Sequence, residues 1–257
     1  MTRTPVPSVA VRTIARDIRD QHERPVAMPT NIVLIGPPGA GKGTQAAGLA
    51  RALRVPTIST GEMLRRAVQS GSALGLAVKA AIDRGDLVDD AMMTDLVAAR
   101  LAEPDTQSGF VLDGFPRTVD QAIALDGLLK QRGDLIVVEL AVPDGAIIRR
   151  LSQRRVCEQC GRNADPGAGD AAPLESAGRR SKLSMTCACG GALRQRSDDT
   201  EAVVRERLRT YERSTRPLID FYRQRRALRA IDGTQPPDLV TAQIAQAIDV
   251  VFDHASS

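Results

Sequence analysis

The segment Gly36-Pro-Pro-Gly39-Ala40-Gly41-Lys42-Gly43-Thr44 constrains this chain more than any other. Ile32–Ile35 before it is a short apolar run, and Thr44–Leu53 after it follows helical spacing, so the region reads as strand, glycine-rich loop and helix. Glycines let backbone N–H groups close around phosphate oxygens, and the following helix directs its positive end at them. On this reading Gly39, Ala40, Gly41, Gly43 and Thr44 cradle phosphates, and Lys42 reaches the β- and γ-oxygens. The pattern G-x-x-x-x-G-K-[ST] holds until its last position, where Gly43 stands and the hydroxyl comes one residue later. Direct magnesium ligation by that hydroxyl is therefore not expected. A glycine-rich turn without a ligand is the plainer alternative, and the strand–helix setting together with the lysine outweighs it. The glycine spacing does not match the dinucleotide pattern G-x-G-x-x-G.

Three more buried strands are expected. Phe110–Leu112 ends in Asp113-Gly114, Leu135–Val142 is stopped by Pro143-Asp144, and Ala230–Ile231 precedes Asp232-Gly233-Thr234. Strands alternating with helices predict an α/β fold, a parallel sheet covered by helices on both faces. Two segments interrupt the rhythm. Residues 59–88 are mostly helical and rich in small residues. Residues 153–199 hold all four cysteines and a low-complexity tract, Ala164–Gly178, too long for an ordinary connection. Both read as inserts in a core formed by residues 28–58, 89–152 and 200–257. Residues 1–27 are expected to be a disordered extension, and Met28 is a second candidate start. Without a signal-peptide core in the sequence, the cytoplasm is the expected compartment.

Bulk properties narrow the function classes. At 257 residues and 42% hydrophobic the chain can bury a sizeable core, yet no apolar run approaches the ~20 residues of a membrane helix. The net charge is only +4, and the basic residues, nearly all arginine, are interspersed with acids. Aromatics make up 2% with no tryptophan, which leaves few stacking platforms for single-stranded nucleic acid. His22 and His254 lie near the chain ends, so a Ser-His or Cys-His catalytic centre has little support. Neither a nucleic-acid nor a membrane partner is expected.

Phosphoryl transfer calls for a metal anchor and for cations around the travelling group. Asp113 follows a hydrophobic strand, where a carboxylate can hold magnesium through water; a turn or helix-cap aspartate is the alternative. Arginines recur in Ser59-Thr60-Gly61-Glu62-Met63-Leu64-Arg65, in Asp113-Gly114-Phe115-Pro116-Arg117-Thr118 with Gln121 close behind, in Arg149-Arg150 and Arg154-Arg155, in Arg196-Ser197-Asp198-Asp199, and at Arg207. Taken singly, each is more often a solvated surface charge. Their order and surroundings, with the phosphate loop and the late Asp232-Gly233-Thr234, resemble the adenylate kinase family over about residues 30–253.

The resemblance implies a phosphate-loop nucleotide-binding core that transfers the ATP γ-phosphoryl group to AMP with magnesium. It implies an AMP site of Thr60, Arg65, Val88, Gly114, Arg117 and Gln121, with Arg196 and Arg207 reaching the same phosphate and Gln121 bonding the adenine. Lys42, Arg117, Arg154, Arg196 and Arg207 become the catalytic cations. Arg150 packs on the ATP adenine near Gln235, residues 59–88 close over the monophosphate, and residues 153–199 form a lid over ATP. A monomer is the family default. Other acceptors such as UMP or CMP, and a nucleotide binder without turnover, stay open as alternatives.

Cys157-Glu-Gln-Cys160 opens the lid segment and Cys187-Ala-Cys189 ends it. Two close thiol pairs joined by a long loop suit a structural zinc site. Some members of the resembling family carry C-x-x-C in both halves; here the second half is one residue short, and Thr186 stands where the first cysteine would fall. A metal-free lid with free thiols and a redox pairing are the alternatives to zinc.

Overall fold

The computed structural model describes residues 30–84, 86–160, 163–164, 186–187 and 189–255; the extension expected at 1–27 and nearly all of the Ala164–Gly178 tract lie outside the described residues. In chain order the elements are β1 (Thr30–Ile35), α1 (Lys42–Leu53), β2 (Thr57–Ser59), α2 (Thr60–Gln69), α3 (Ala73–Arg84), α4 (Asp90–Leu101), β3 (Gly109–Asp113), α5 (Val119–Leu129), β4 (Leu135–Ala141) and α6 (Asp144–Gln153). The short strands β5 (Arg155–Cys157), β6 (Asn163–Ala164) and β7 (Leu193–Arg194) follow in the cysteine-bearing insert. A 3₁₀ turn at Ser197–Asp199, α7 (Glu201–Thr210), a π-helical turn at Tyr211–Thr215, α8 (Pro217–Gln224), β8 (Leu228–Asp232) and α9 (Pro237–Ala255) complete the chain.

The main sheet has the order β2-β3-β1-β4-β8, and every pairing in it is parallel. All six residues of β1 are buried, as a central strand covered on both faces must be. Its side chains alternate between two cores. Ile32 and Leu34, with Val111, Ile136, Val138 and Leu140, pack under Leu49 of α1, Ile147 and Leu151 of α6, Leu208 of α7 and Ile244 of α9. Val33 and Ile35, with Phe110, Leu112 and Val137, pack against Leu64 of α2, Val97 of α4, Leu125 of α5 and Leu218 of α8. Each fully buried aliphatic or aromatic side chain contributes about 1.5–3 kcal/mol relative to exposure, so these two layers hold the sheet in place. This is the α/β arrangement the alternating pattern predicts.

Because the strands run in parallel, their carboxyl ends share one edge. Leu34 lies beside Asp113, Ile35 beside Glu139, Ser59 beside Asp113 and Ala141 beside Asp232. The segments following β1, β2, β3 and β8 carry the motifs singled out above, so the fold brings them together at that edge. The strand order reverses there too: β1 has β3 on one side and β4 on the other. Open parallel sheets bind ligands at such a point.

Candidate active site

The glycine loop folds as its spacing requires. Gly39 and Gly41 have φ of 80° and 98°, and a Cβ on Gly39 would stand 2.8 Å from Cγ of the buried Leu151. Gly41 occupies the cap position of α1 with no side-chain hydrogen bond, so no cap claims the helix's first N–H groups. Lys42 Nζ donates to Gly36 O at 2.7 Å and to Pro37 O at 2.9 Å, which folds the side chain over the loop. Desolvation there lowers its pKa from 10.5 to about 8; Asp113 opposes the shift, and Arg117, Arg207 and Arg154 reinforce it. A Cβ on Gly43 would lie 3.5 Å from Asp113 Oδ2. The carboxylate ending β3 therefore faces the first turn of α1, while Thr44 is exposed.

Thr60, Arg65, Val88, Gly114, Arg117, Gln121 and Arg207 line one cavity beside this loop. Gly114, with φ of 90°, lets Thr60 approach: a Cβ there would be 2.6 Å from Thr60 Oγ1. Arg117 Nε donates to Gly114 O at 2.8 Å, fixing the guanidinium across the turn after β3. Gln121 is buried, and its amide is held at both ends. Its Oε1 accepts from Arg117 N–H at 2.7 Å and its Nε2 donates to Asp90 Oδ1 at 2.7 Å. The other oxygen of Asp90 accepts from Thr118 Oγ1 at 2.6 Å, and Thr118 Oγ1 accepts from Gln121 N–H at 3.2 Å. Sequence reasoning passed over Leu64, Ile82, Met93 and Asp86, which also line the cavity, as does Asp198, which the family resemblance assigns to orienting arginines. The apolar ones carry ordinary helical spacing, so nothing distinguished a cavity wall from core.

The remaining cations gather where the chain enters and leaves the cysteine-bearing insert. Arg154 makes a two-pronged pair with the fully buried Asp199, at 2.7 and 2.5 Å. Arg207 Nη1 lies 3.1 Å from Asp198 Oδ2 and 3.5 Å from Asp199 Oδ1. Arg196 does not line the cavity; its Nη2 donates to Asn163 Oδ1 at 2.9 Å. Burial, and then Arg154, lowers its pKa to about 10. Arg65, Arg117 and Arg207 are held below the usual guanidinium range, each first by burial. Among the described residues, Lys42, Arg65, Arg117, Arg154, Arg196 and Arg207 thus face Asp113, Asp198 and Asp199, with Glu62 beside Arg65, as local counter-charges. A cluster so unbalanced is built for anions.

On the other side of the loop, Arg150 Nη2 donates to Gly233 O at 2.9 Å. Asp232 accepts from Thr234 N, Thr234 Oγ1 and Gln235 Nε2 at 2.9, 2.6 and 2.9 Å, and these bonds, led by the Thr234 hydroxyl, lower its pKa to about 2. The turn after β8 is shaped by its own side chains and presents backbone next to a planar guanidinium.

The four cysteines come together despite the shortened second pair. All four Sγ atoms lie within 4.8 Å of one another, with Cys157–Cys189 at 3.4 Å and Cys160–Cys187 at 3.6 Å. Tetrahedral zinc with bonds of about 2.3 Å places its sulfurs about 3.8 Å apart, so the donor set fits. Cys187 and Cys189 sit on a tight turn, closed by Gly190 N–H to Cys187 O at 2.8 Å and Cys187 N–H to Gly191 O at 2.8 Å. That turn makes up for the missing residue. The Cys160 N–H, donating to Cys157 Sγ at 3.5 Å, is the first cause holding the Cys157 thiol down at about 6.

Comparison with known proteins names a family. The family model described as Adenylate kinase matches residues 34–227. The chain is 45% identical over 219 residues to an adenylate kinase of Methanocella arvoryzae, covering 84% of this chain and 97% of that protein. It is 44% identical to one of Desulfitobacterium hafniense, covering 86% and 97%, and 42% identical to one of Archaeoglobus fulgidus, covering 86% and 99%. A phosphate loop, an arginine-lined cavity and near-complete coverage converge on one conclusion: the chain belongs to the adenylate kinase family, the phosphotransferases that convert ATP and AMP into two ADP.

Proposed function

We propose a division of labour for that reaction among the residues of this chain. ATP lies along the glycine loop, its phosphates on Gly39, Ala40, Gly41, Gly43, Thr44 and Lys42, and its adenine between Arg150 and the Gln235 turn. AMP occupies the cavity of Thr60, Arg65, Val88, Gly114, Arg117 and Gln121. Arg65 and Arg117 hold the acceptor phosphate, and Gln121 reads the base. Lys42, Arg117, Arg154, Arg196 and Arg207 surround the travelling phosphoryl group, whose spread negative charge they stabilise in a desolvated site. No side-chain base is required, because the acceptor is already a phosphate dianion. The observation carrying this reading is the concentration of cations at one sheet edge between a phosphate loop and a cavity of nucleotide chemistry.

Asp113 would hold, through water, the magnesium that ATP brings, and that ion would offset charge between the phosphates. The four cysteines would hold a structural zinc that ties the lid together. Residues 59–88 act as the monophosphate-binding domain and residues 153–199 as the lid, and their closure excludes water from the transfer. The reading includes a cytoplasmic monomer, which sedimentation and cell fractionation check.

The test is steady-state transfer from Mg-ATP to AMP, GMP, CMP, UMP and dTMP. Rapid ADP formation with AMP and weak turnover with the others is the expected outcome; a pyrimidine as the preferred acceptor would overturn the AMP assignment. Lys42→Ala and Arg117→Ala should each lower kcat by about two to three orders of magnitude with the fold retained. Wild-type rates in either variant would remove the assigned phosphate roles.

A further inference from the structure

Gln121 has four hydrogen-bonding positions on its amide, two donor and two acceptor. The protein uses one of each. Asp90 Oδ1 takes one Nε2 hydrogen at 2.7 Å, and Arg117 N–H fills one Oε1 lone pair at 2.7 Å. These partners also settle which end of the amide is which. A backbone N–H can only donate, and an ionised carboxylate can only accept, so a flipped amide would oppose like to like at both contacts. Asp90 is held in turn. Its Oδ2 accepts from Thr118 Oγ1 at 2.6 Å, and Thr118 Oγ1 caps α5 by accepting from Gln121 N–H. Asp90 itself is the first residue of α4, behind Asp89, which caps that helix by accepting from Met92 N–H at 3.0 Å. Two helix starts therefore clamp one amide. Gln121 lines the cavity, whereas Asp90 does not.

We propose that Asp90 is the positioning residue that sets base selectivity at the acceptor site, by locking the Gln121 amide in the orientation complementary to a 6-amino purine. The inference rests on the placement of AMP in this cavity. The one Oε1 lone pair and one Nε2 hydrogen left over form an acceptor and a donor side by side. Adenine offers an exocyclic N6–H donor next to a ring-nitrogen acceptor and matches them. Guanine puts the O6 acceptor where N6–H would be, against Oε1. The amide could accommodate O6 only by flipping, which the Asp90 carboxylate forbids. A site whose buried polar groups are paired for one ligand rejects an analogue that leaves them unpaired.

The test compares wild type, Asp90→Asn, Thr118→Val and Gln121→Ala with AMP and GMP as acceptors under saturating Mg-ATP. Asparagine is close to isosteric with Asp90, but its amide can donate as well as accept, so it lifts one of the two contacts that oppose the flip and leaves the Arg117 N–H as the other. The AMP:GMP ratio of kcat/KM should fall about tenfold in Asp90→Asn, mostly through a raised KM for AMP, while the KM for ATP stays within about twofold. Thr118→Val, which removes one arm of the clamp and leaves the carboxylate in place, should lower the ratio by a smaller factor, about threefold. Gln121→Ala should lower it at least as far as Asp90→Asn. A wild-type ratio in both Asp90→Asn and Thr118→Val, with the ratio collapsed in Gln121→Ala, would overturn the positioning role and leave base reading by Gln121 intact. An unchanged ratio in Gln121→Ala would overturn base reading itself, and the role of Asp90 with it.

Discussion

Lys42 shows how a single residue trades stability for chemistry. Its ammonium is desolvated among other cations, so its folded pKa of about 8 lies below its ordinary 10.5. Between these values the unfolded chain binds more protons than the folded one, so stability rises with pH across that window. The penalty is fully present below pH 8 and fades as pH approaches 10.5. Lys42→Met keeps the apolar stem and removes the charge. It should make the protein more stable than wild type by about 1–3 kcal/mol at pH 7, with the gap closing toward pH 10, while activity falls by orders of magnitude. Urea unfolding at pH 7 and 9.5 reads this directly; a variant less stable than wild type at pH 7 would contradict it. Polyphosphate bound there should raise the Lys42 pKa again, so at pH 8.5 ATP binding should be accompanied by uptake of a fraction of a proton, measurable by calorimetry in buffers of different ionisation enthalpy. Lys42, with the glycines around it, was readable in the sequence because only a narrow set of residues closes a loop around phosphate. Asp90 was not readable. Beside Asp89 it looks like any acid in a helix's first turn, and its role exists only through Gln121, 31 residues away.

Elements were readable in proportion to how much apolar surface they bury. β1, β3, β4 and β8 announced themselves as apolar runs stopped by glycine or proline, and all four lie in one sheet. β2 did not: it spans three residues at the sheet edge, and only Ile58 among them is buried. β5 is no longer than β2, β6 and β7 have two residues each, and their antiparallel sheet, β6-β5-β7, has almost no hydrophobic signal of its own. So little apolar surface cannot hold such a sheet together, which is why four converging thiols matter there. Metal analysis of the purified protein should give one zinc per chain. Chelation, or Cys187→Ser, should then expose the thiols to alkylation and open the lid segment to proteolysis. The core should keep its melting temperature within a few degrees, because its two hydrophobic layers do not touch the cluster. A metal-free protein whose lid resists protease equally well would remove zinc from the account. Arg154 leaves α6 and pairs with Asp199, which sits just before α7, so both chain entries to the cysteine-bearing insert are tied together without metal.

At the scale of the whole molecule, the cations that no one element explains become a single property. Lys42 comes from the loop after β1, Arg65 from α2, Arg117 from the turn after β3, Arg154 from the end of α6, Arg196 from the lid and Arg207 from α7. The parallel sheet collects them at one edge, α3 packs on the Ser197–Asp199 turn, and Asp198 and Arg207 meet Arg65 across the same cavity. Without nucleotide, these groups repel one another through desolvated protein, and Asp113, Asp198, Asp199 and Glu62 leave the charge of six cations uncompensated. Ligand phosphates relieve the repulsion and bridge the closing parts, so binding free energy should appear as global stability. At a hundred times Kd a ligand adds about 2.7 kcal/mol, and for a chain of this size each kcal/mol raises Tm by about 2–4 °C. Saturating ADP, which can enter both nucleotide sites, should therefore raise Tm by roughly 5–10 °C at low salt, and by less as ionic strength rises. Lys42→Met should start from a higher Tm and gain little from ADP. If ADP moved the wild type by less than about 2 °C, or moved the variant just as far, the cations would be surface charges gathered by chance, with no coupling between the phosphate loop, the lid root and the acceptor cavity.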